Sequence, residues 1–334
     1  MEDRILLAHG SGGKLAHEIV NRRFIQALDN PILNPLDDSA VIQAEGRLAF
    51  TTDSYVVQPI FFPGGDIGRL AVCGTVNDLS MVGAKPLYIS LAFIIEEGLP
   101  VADLDKIVAS IKETTDEAGI QVITGDTKVV ERGSADQLFI NTAGIGAIPP
   151  DVCISGHNAR PGDAVIVSGS LGDHGIAVLS QRQGLGFSTE LKSDCAPLNG
   201  LIASMLAASR QIRCLRDPTR GGLASSLNEI AEQSAVSIRI EEDILPIHQD
   251  VAGACEMLGL DPLQVANEGK LVAIVAAADA EAIVAAMHNH HYGREAAIIG
   301  RVEAGHPGRV ALKTRLGTSR IVDMLVGEPL PRIC

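Results

Sequence analysis

Aspartates recur in four short settings: "DDSA" (Asp37 and Asp38), "TTDS" (Asp53), "NDLS" (Asp78) and "TGDT" (Asp126). Any one of them reads as a turn former, because a short polar side chain can bond its own backbone. Taken together they point to different chemistry. Asp53, Asp78 and Asp126 lie inside or against apolar segments, where strand ends or loops are expected to carry them. Converged carboxylates repel, and burying them is costly unless a cation compensates. Mg²⁺ fits such a set, being an oxygen-seeking ion held by a few carboxylates together with substrate phosphates. Asp38, Asp53, Asp78 and Asp126 are therefore the candidate metal ligands.

Two glycine-rich stretches stand before helix patterns, "GSGGK" (10–14) and "TRGG" (219–222). Backbone N–H groups at a helix start bind anions, and the helix dipole adds to the attraction. Neither stretch is a Walker A loop, which requires GxxxxGK[ST]. Lys128, two residues after Asp126, and Glu268 in "ANEGK" are charged residues beside apolar strand patterns. A solvated strand end accounts for either one alone, and acid–base work accounts for them if they share a pocket with the aspartates. "HNHH" (His288, His290, His291) lacks the i, i+4 spacing of a helical metal site and follows a helix pattern, where imidazoles suit the dipole.

The last residue given is Cys334, after "GEPLPRI". A thiol is the most nucleophilic side chain available to a chain end, so this position carries either nothing or a reaction. The other cysteines, at 73, 153, 195, 214 and 255, form no CxxC pair and read as reduced thiols of a cytosolic protein. Cys334 is not a prenylation box, which needs three residues after the cysteine.

Positioning these groups falls to elements that periodicity marks out. Ala16, Ile19, Val20, Phe24, Ala27 and Leu28 recur at helical spacing, as do Leu104, Ile107, Val108, Ile111 and Ala118, the latter closed by Gly119. A helix after "TRGG" turns Leu223, Leu227, Ile230 and Ala231 inward. Strands are expected at "RLAFTTDSYVV", "KPLYISLAFII", "QVITGDTKVV" and "LFINTAGIGAI", then at "AVIV", "VSIRI", "KLVAIVAA" and "AAIIGRV". The stretch 149–163 is rich in Pro, Gly and polar residues and divides the chain.

Composition bounds the possibilities. A chain of 334 residues can build two cores, and with 3% aromatics and no Trp these are made of Ala, Val, Ile and Leu. A net charge of −14 argues against a nucleic-acid partner. No apolar run reaches membrane-spanning length, and Glu2, Asp3 and Arg4 do not start a signal peptide, so a cytoplasmic location is expected.

The motifs "AHGSGGK", "FTTDSYVV", "FFPGGDIG", "CGTVNDL", "TGDTKVV", "SGSLGDHG", "RDPTRGG", "NEGK" and the final "PRIC", in this order, resemble the HypE family of [NiFe]-hydrogenase maturation proteins. That family sits within the PurM-like (AIR-synthetase) superfamily. The resemblance implies an α+β, PurM-like two-domain fold. Its N-terminal domains pair strands across a homodimer, and its C-terminal domain is an α/β sandwich. The implied divisions are a Gly-rich loop and helix (1–36), an ATP/Mg domain (37–148), a C-terminal domain (160–310) and a tail (327–334). It implies ATP and Mg²⁺, with Gly10, Gly12, Gly13, Lys14, Asn77, Asp217, Thr219, Arg220 and Gly221 at the nucleotide. It also implies that Cys334 receives a carbamoyl group from HypF. ATP-dependent dehydration to a thiocyanate follows, with Lys128 and Glu268 assisting. The cyano group then passes to iron on a HypC–HypD complex. Two rivals are another superfamily kinase or synthetase, such as a thiamine-phosphate kinase or selenophosphate synthetase, and a non-catalytic metallochaperone. A selenophosphate synthetase is expected to carry a reactive Cys in its Gly loop, and "HGSGGK" has none.

Overall fold

The structure, a computed structural model, describes residues 4–10, 14–34, 39–43, 45–182, 191–325 and 332–334. After a 3₁₀ turn (Leu7–Gly10), a helical stretch runs in three pieces: α1 (Lys14–Ile19), a π-helical turn (Val20–Ile25) and α2 (Gln26–Leu28). The N-terminal half then runs β1 (Arg47–Tyr55), β2 (Phe61–Phe62), β3 (Gly65–Asp66), α3 (Ile67–Met81), β4 (Lys85–Glu96), α4 (Val101–Ala118), β5 (Gln121–Val130) and β6 (Leu138–Ile148). Its main sheet has the order β1-β6-β4-β5, so β1 and β5 are the two edges. Pairing is antiparallel except between β4 and β5, which α4 connects as a crossover.

Local chemistry explains the helices. The Asp66 carboxylate accepts from the backbone N–H of Gly68 (2.7 Å) and Arg69 (3.0 Å), capping α3. The apolar side chains of α4 fall on one stripe, and Gly119 ends it at φ 68°. These helices cover one sheet face, where Ile67, Leu70, Leu104, Ile107, Ile111, Ile89 and Leu91 make a shared core. The opposite face is left open, with Phe50 70%, Leu48 47% and Ile94 42% exposed.

The second half contains β7 (Ala164–Val167), α5 (Asp173–Ser180), α6 (Asn199–Ala208), β8 (Ile212–Arg216), α7 (Gly222–Gln233), β9 (Ser237–Glu241), α8 (Gln249–Leu258), β10 (Val272–Val275), α9 (Ala280–His288), β11 (Ala297–Glu303), β12 (Arg309–Lys313) and β13 (Ser319–Ile321). Seven strands form one sheet in the order β13-β12-β9-β11-β7-β10-β8. Alternate residues face different cores. Val165, Val167, Val272 and Ile274 pack with α7, while Ile166, Ala273 and Val275 pack with α6 and α9. Burial on both faces accounts for the unbroken apolar runs of β7 and β10. No helix among the described residues is long and apolar enough to cross a membrane.

One expectation is corrected here. Asp53 and Asp126 stand within strands β1 and β5, and Asp78 within helix α3, so none of the three is at a strand end or in a loop.

Candidate active site

Strand alternation sends Thr51, Asp53 and Tyr55 of β1 toward α3, and the hydroxyl of Thr51 donates to Oδ2 of Asp78 at 2.8 Å. The Tyr55 hydroxyl donates to Asp53 Oδ2 at 3.3 Å. Tyr55 lies so close to α3 that a Cβ on Gly74 would collide with its hydroxyl. Across the cleft, Asp217 follows β8, and Thr219, Arg220 and Gly221 lead into α7, with Gly221 at φ 77°. Apart from Thr51, these residues line a cleft of about 630 Å³ together with Glu268, Arg332, Ile333 and Cys334.

Burial first, and then neighbouring charge, act on three carboxyls in this cleft. Burial, then Asp217 and Asp53, push Asp78 up to about 7. Burial, with Asp53 adding to it, pushes Asp217 up to about 6. Glu268 is 3% exposed, and its Oε1 is buried without a hydrogen-bond partner. Burial first, then Cys195, Asp217, Asp194 and Asp53, raise its carboxyl well above the usual range.

Glu268 is fixed through its backbone. Its N–H donates to Asp194 Oδ1 at 2.9 Å, and its carbonyl accepts from Asn77 Nδ2 at 3.3 Å. Asp194 in turn pairs with Lys270 at 3.5 Å. Asn77 also donates to the Ala196 carbonyl (3.1 Å) and accepts from the Leu198 N–H (2.8 Å). The Asn77 amide is buried and clamps α3 to the segments that carry Cys195 and Glu268.

The last three residues dock in the same cleft. The Val56 N–H donates to the Cys334 carbonyl and the Gln58 N–H to the Arg332 carbonyl, both at 3.2 Å. Arg332 ion-pairs with Asp136 and donates to the Val56 carbonyl at 3.0 Å. Ile333 is buried in the core of the N-terminal half, and Cys334 packs half-buried beside it.

Other expected residues lie elsewhere. Asp126 and Lys128 are exposed on edge strand β5, their side chains 3.4 Å apart, and line a second cavity with His9, Phe24 and Phe93. Within one chain they do not join Asp53 and Asp78. Gly10 closes a 3₁₀ turn (Leu7–Gly10) and Lys14 opens α1, while Gly12, Gly13 and Asp38 lie outside the described residues. His288 bonds the Ala296 carbonyl at 2.8 Å, and the rings of His290 and His291 stack. Among the described residues no group of three or more His, Cys, Asp or Glu is placed to hold a metal ion by itself. Sequence reasoning gave no role to Asp194, Lys270 or His174. Lys270 and His174 stood in the quoted motifs "NEGK" and "SGSLGDHG", whereas Asp194 had no signal of its own.

This arrangement has close counterparts. The carbamoyl dehydratase HypE of Rhizobium leguminosarum bv. viciae is 55% identical over 333 residues, which is 99% of this chain and 95% of that protein. A crystal structure of the hydrogenase maturation protein HypE in complex with ATP superposes with a TM-score of 0.95 at 50% identity, covering 98% of this chain and 99% of the other. The chain belongs to the HypE family. The family models described as AIR synthase related protein, N-terminal and C-terminal domain, match residues 36–148 and 160–313. A HypE from a crystal structure of a HypE–HypF complex is 51% identical with a TM-score of 0.81, covering 94% of this chain and 100% of that one. The PurM-like two-domain fold expected from the motifs is the fold this HypE-family chain has.

Proposed function

We propose that this chain is an ATP-dependent carbamoyl dehydratase that converts an S-carbamoyl group on its own Cys334 to a thiocyanate, supplying cyanide for the iron of a [NiFe] hydrogenase. One observation carries the reading: Cys334 docks in the cleft that holds Asp53, Asp78, Asp217 and Glu268. A metallochaperone thiol has no need of that enclosure.

The chemistry requires activation of a poor leaving group. Transfer of the γ-phosphoryl of ATP to the carbamoyl oxygen, with loss of one N–H proton, lets that oxygen depart as phosphate. Loss of the second N–H proton completes the C≡N bond. The chain must therefore hold a triphosphate, aim the carbamoyl oxygen and receive protons. Backbone bonds from Val56 and Gln58 fix the end of the chain that bears the sulfur. Thr219, Arg220 and Gly221 stand at the entrance to α7, where N–H groups and the helix dipole favour phosphate. Glu268, clamped by Asp194 and Asn77, is the group in this cleft placed to take part in proton transfer.

The carboxylates fit Mg²⁺. Asp53, Asp78 and Asp217 line one cleft at a cost that a cation would reduce, and among the described residues too few protein ligands converge to enclose an ion without phosphate oxygens. Bound Mg²⁺ would neutralise charge on the transferring phosphoryl group.

A homodimer completes the assignment. Register sets Asp126 beside Ala92 and Lys128 beside Ile94, on the open apolar face that also bears Phe50. A second copy on this face, related by a two-fold axis along the strands, would bring its β5 edge toward the first copy's β1 edge. Asp126 and Lys128 would then serve the partner's cleft. HypF is the proposed carbamoyl donor, a HypE having been crystallised with it, and a HypC–HypD complex the proposed acceptor of the cyano group. Mass mapping of carbamoyl and cyano groups after incubation with HypF and Mg-ATP tests the reading. Both groups are expected on Cys334 of the wild type and neither on Cys334→Ala; a cyano group on an internal cysteine overturns it.

A further inference from the structure

The motif "SGSLGDHG" (168–175) contributes nothing to the carboxylate cluster, yet it is built as tightly as the cleft itself. The Gly172 N–H donates to Asn267 Oδ1 at 2.7 Å, and Asp173 bonds both Ser170 and His248. Gly175 sits where a Cβ would strike Val265, and its N–H donates to the Ala266 carbonyl at 3.1 Å. All of this fixes the start of α5, and what α5 presents there is His174.

His174 is fully buried, with its ring edge-on to Phe62. Its two nitrogens have different partners: Nδ1 lies 2.8 Å from Ser193 Oγ, and Nε2 lies 2.8 Å from the carbonyl of Ile333. A carbonyl only accepts, so Nε2 carries the proton and Nδ1 is the acceptor. Ser193 agrees, because its oxygen already accepts from the Cys195 N–H at 3.1 Å and is left its own proton to donate. A directed relay thus runs from Cys195 through Ser193 and His174 to the peptide bond that precedes Cys334. Burial pushes the imidazole down from its ordinary value, which keeps it in this neutral form.

We propose that His174 is a positioning residue for the dehydration: its Nε2–H holds the Ile333 carbonyl and so seats Cys334 in the cleft. The inference rests on the proposed function for its purpose, but the docking it describes can be measured without any turnover. His174→Phe keeps a ring of similar size and removes the donor, while His174→Gln restores an N–H at the same reach. Loss of one hydrogen bond of ordinary strength shifts a docking equilibrium by roughly three- to tenfold.

The test is alkylation of the otherwise wild-type protein with iodoacetamide, followed by mass spectrometry of each cysteine-containing peptide, without ATP or carbamoyl donor. In His174→Phe the alkylation rate of Cys334 is expected to rise about three- to tenfold, and in His174→Gln to stay near wild type. Buried Cys73, Cys195, Cys214 and Cys255 serve as internal controls and should not change. A Cys334 rate unchanged in His174→Phe, or a parallel rise at Cys195 and Cys214, overturns the proposal, the second by showing general loosening. With carbamoylated protein, His174→Phe should slow single-turnover dehydration while accepting the carbamoyl group from HypF at least as fast as wild type. A role in folding alone would lower both, and that outcome also counts against positioning. Because alkylation needs no reaction at the cleft, its result stands even if the dehydratase reading fails.

Discussion

Asp53 and Asp126 occupy similar sequence settings, an aspartate flanked by Thr within a strand pattern, and the fold gives them opposite surroundings. Asp53, on edge strand β1, faces α3 and shares a cleft with Asp78 and Asp217, whose carboxyls are driven up by burial and by their neighbours. Asp126, on the other edge strand, is exposed and pairs with Lys128 at 3.4 Å. Under the proposed function, the first set would serve a cation within one chain. Under the same proposal, the second would take part only if another chain approaches. Similar sequence settings therefore do not fix surroundings; the topology does, by placing one aspartate beside α3 and the other on an exposed edge.

The largest effect should come from the first region. Asp78→Asn removes a negative ligand from the converged set and is expected to reduce ATP turnover by on the order of 10²–10³-fold, measured as phosphate release from carbamoylated protein. The fold should survive, because the substitution relieves repulsion. Near-normal turnover would return Asp78 to a purely structural role.

Glu268→Gln comes next. It keeps the size and buried position of the side chain but cannot take a proton, so nucleotide binding should persist while dehydration slows by roughly 10²-fold or more. Calorimetric titration of Mg-ATP against single-turnover mass spectrometry separates these two quantities. Equal loss of both would mean that Glu268 only holds the site together.

The second region is tested by mixing. If Asp126 serves the partner's cleft, Asp126→Asn and Asp78→Asn should each be inactive alone, yet mixed dimers should recover activity in one cleft of two. Complementation absent despite exchange of subunits, shown by native mass spectrometry, would remove Asp126 from the site. Phe50→Arg on the open face should lower turnover in step with dissociation observed by sedimentation.

The smallest effects are on stability. Asp126→Asn, exposed, should change it by no more than about 0.5 kcal/mol. Asn77→Ala, which orphans buried backbone groups of Ala196, Leu198 and Glu268, should cost about 1–3 kcal/mol in a denaturant titration. The reverse ranking would contradict the contrast between a clamp and a surface residue.

How much of this was legible depended on how each element is solvated. Helix α4 packs one face on the sheet and shows its polar face to water, so Leu104, Ile107, Val108 and Ile111 spell out its period. Helix α3 is buried nearly all round, from Ile67 to Met81, and its apolar residues carry no stripe. For that reason Asp78 read as a loop residue when it is helical. The strands β1, β4, β5 and β6 were readable because alternation or β-branched content survives burial on one face. At the site, the chemical types of Asp53, Asp78, Asp217, Glu268 and Cys334 were visible, but their convergence depends on contacts between distant segments. The clamp role of Asn77 and the support from Asp194 and His174 rest on backbone groups 74 to 191 residues away, which no local pattern encodes.

The central claim is that the docked Cys334 is the carrier of the reaction, and it is tested most directly by intact mass. Protein carbamoylated at Cys334 should lose the mass of one water on incubation with Mg-ATP, with the change mapped to the last peptide and absent when Mg²⁺ is chelated. ATP hydrolysis without that loss of water, or release of the carbamoyl group as a whole, would contradict the account.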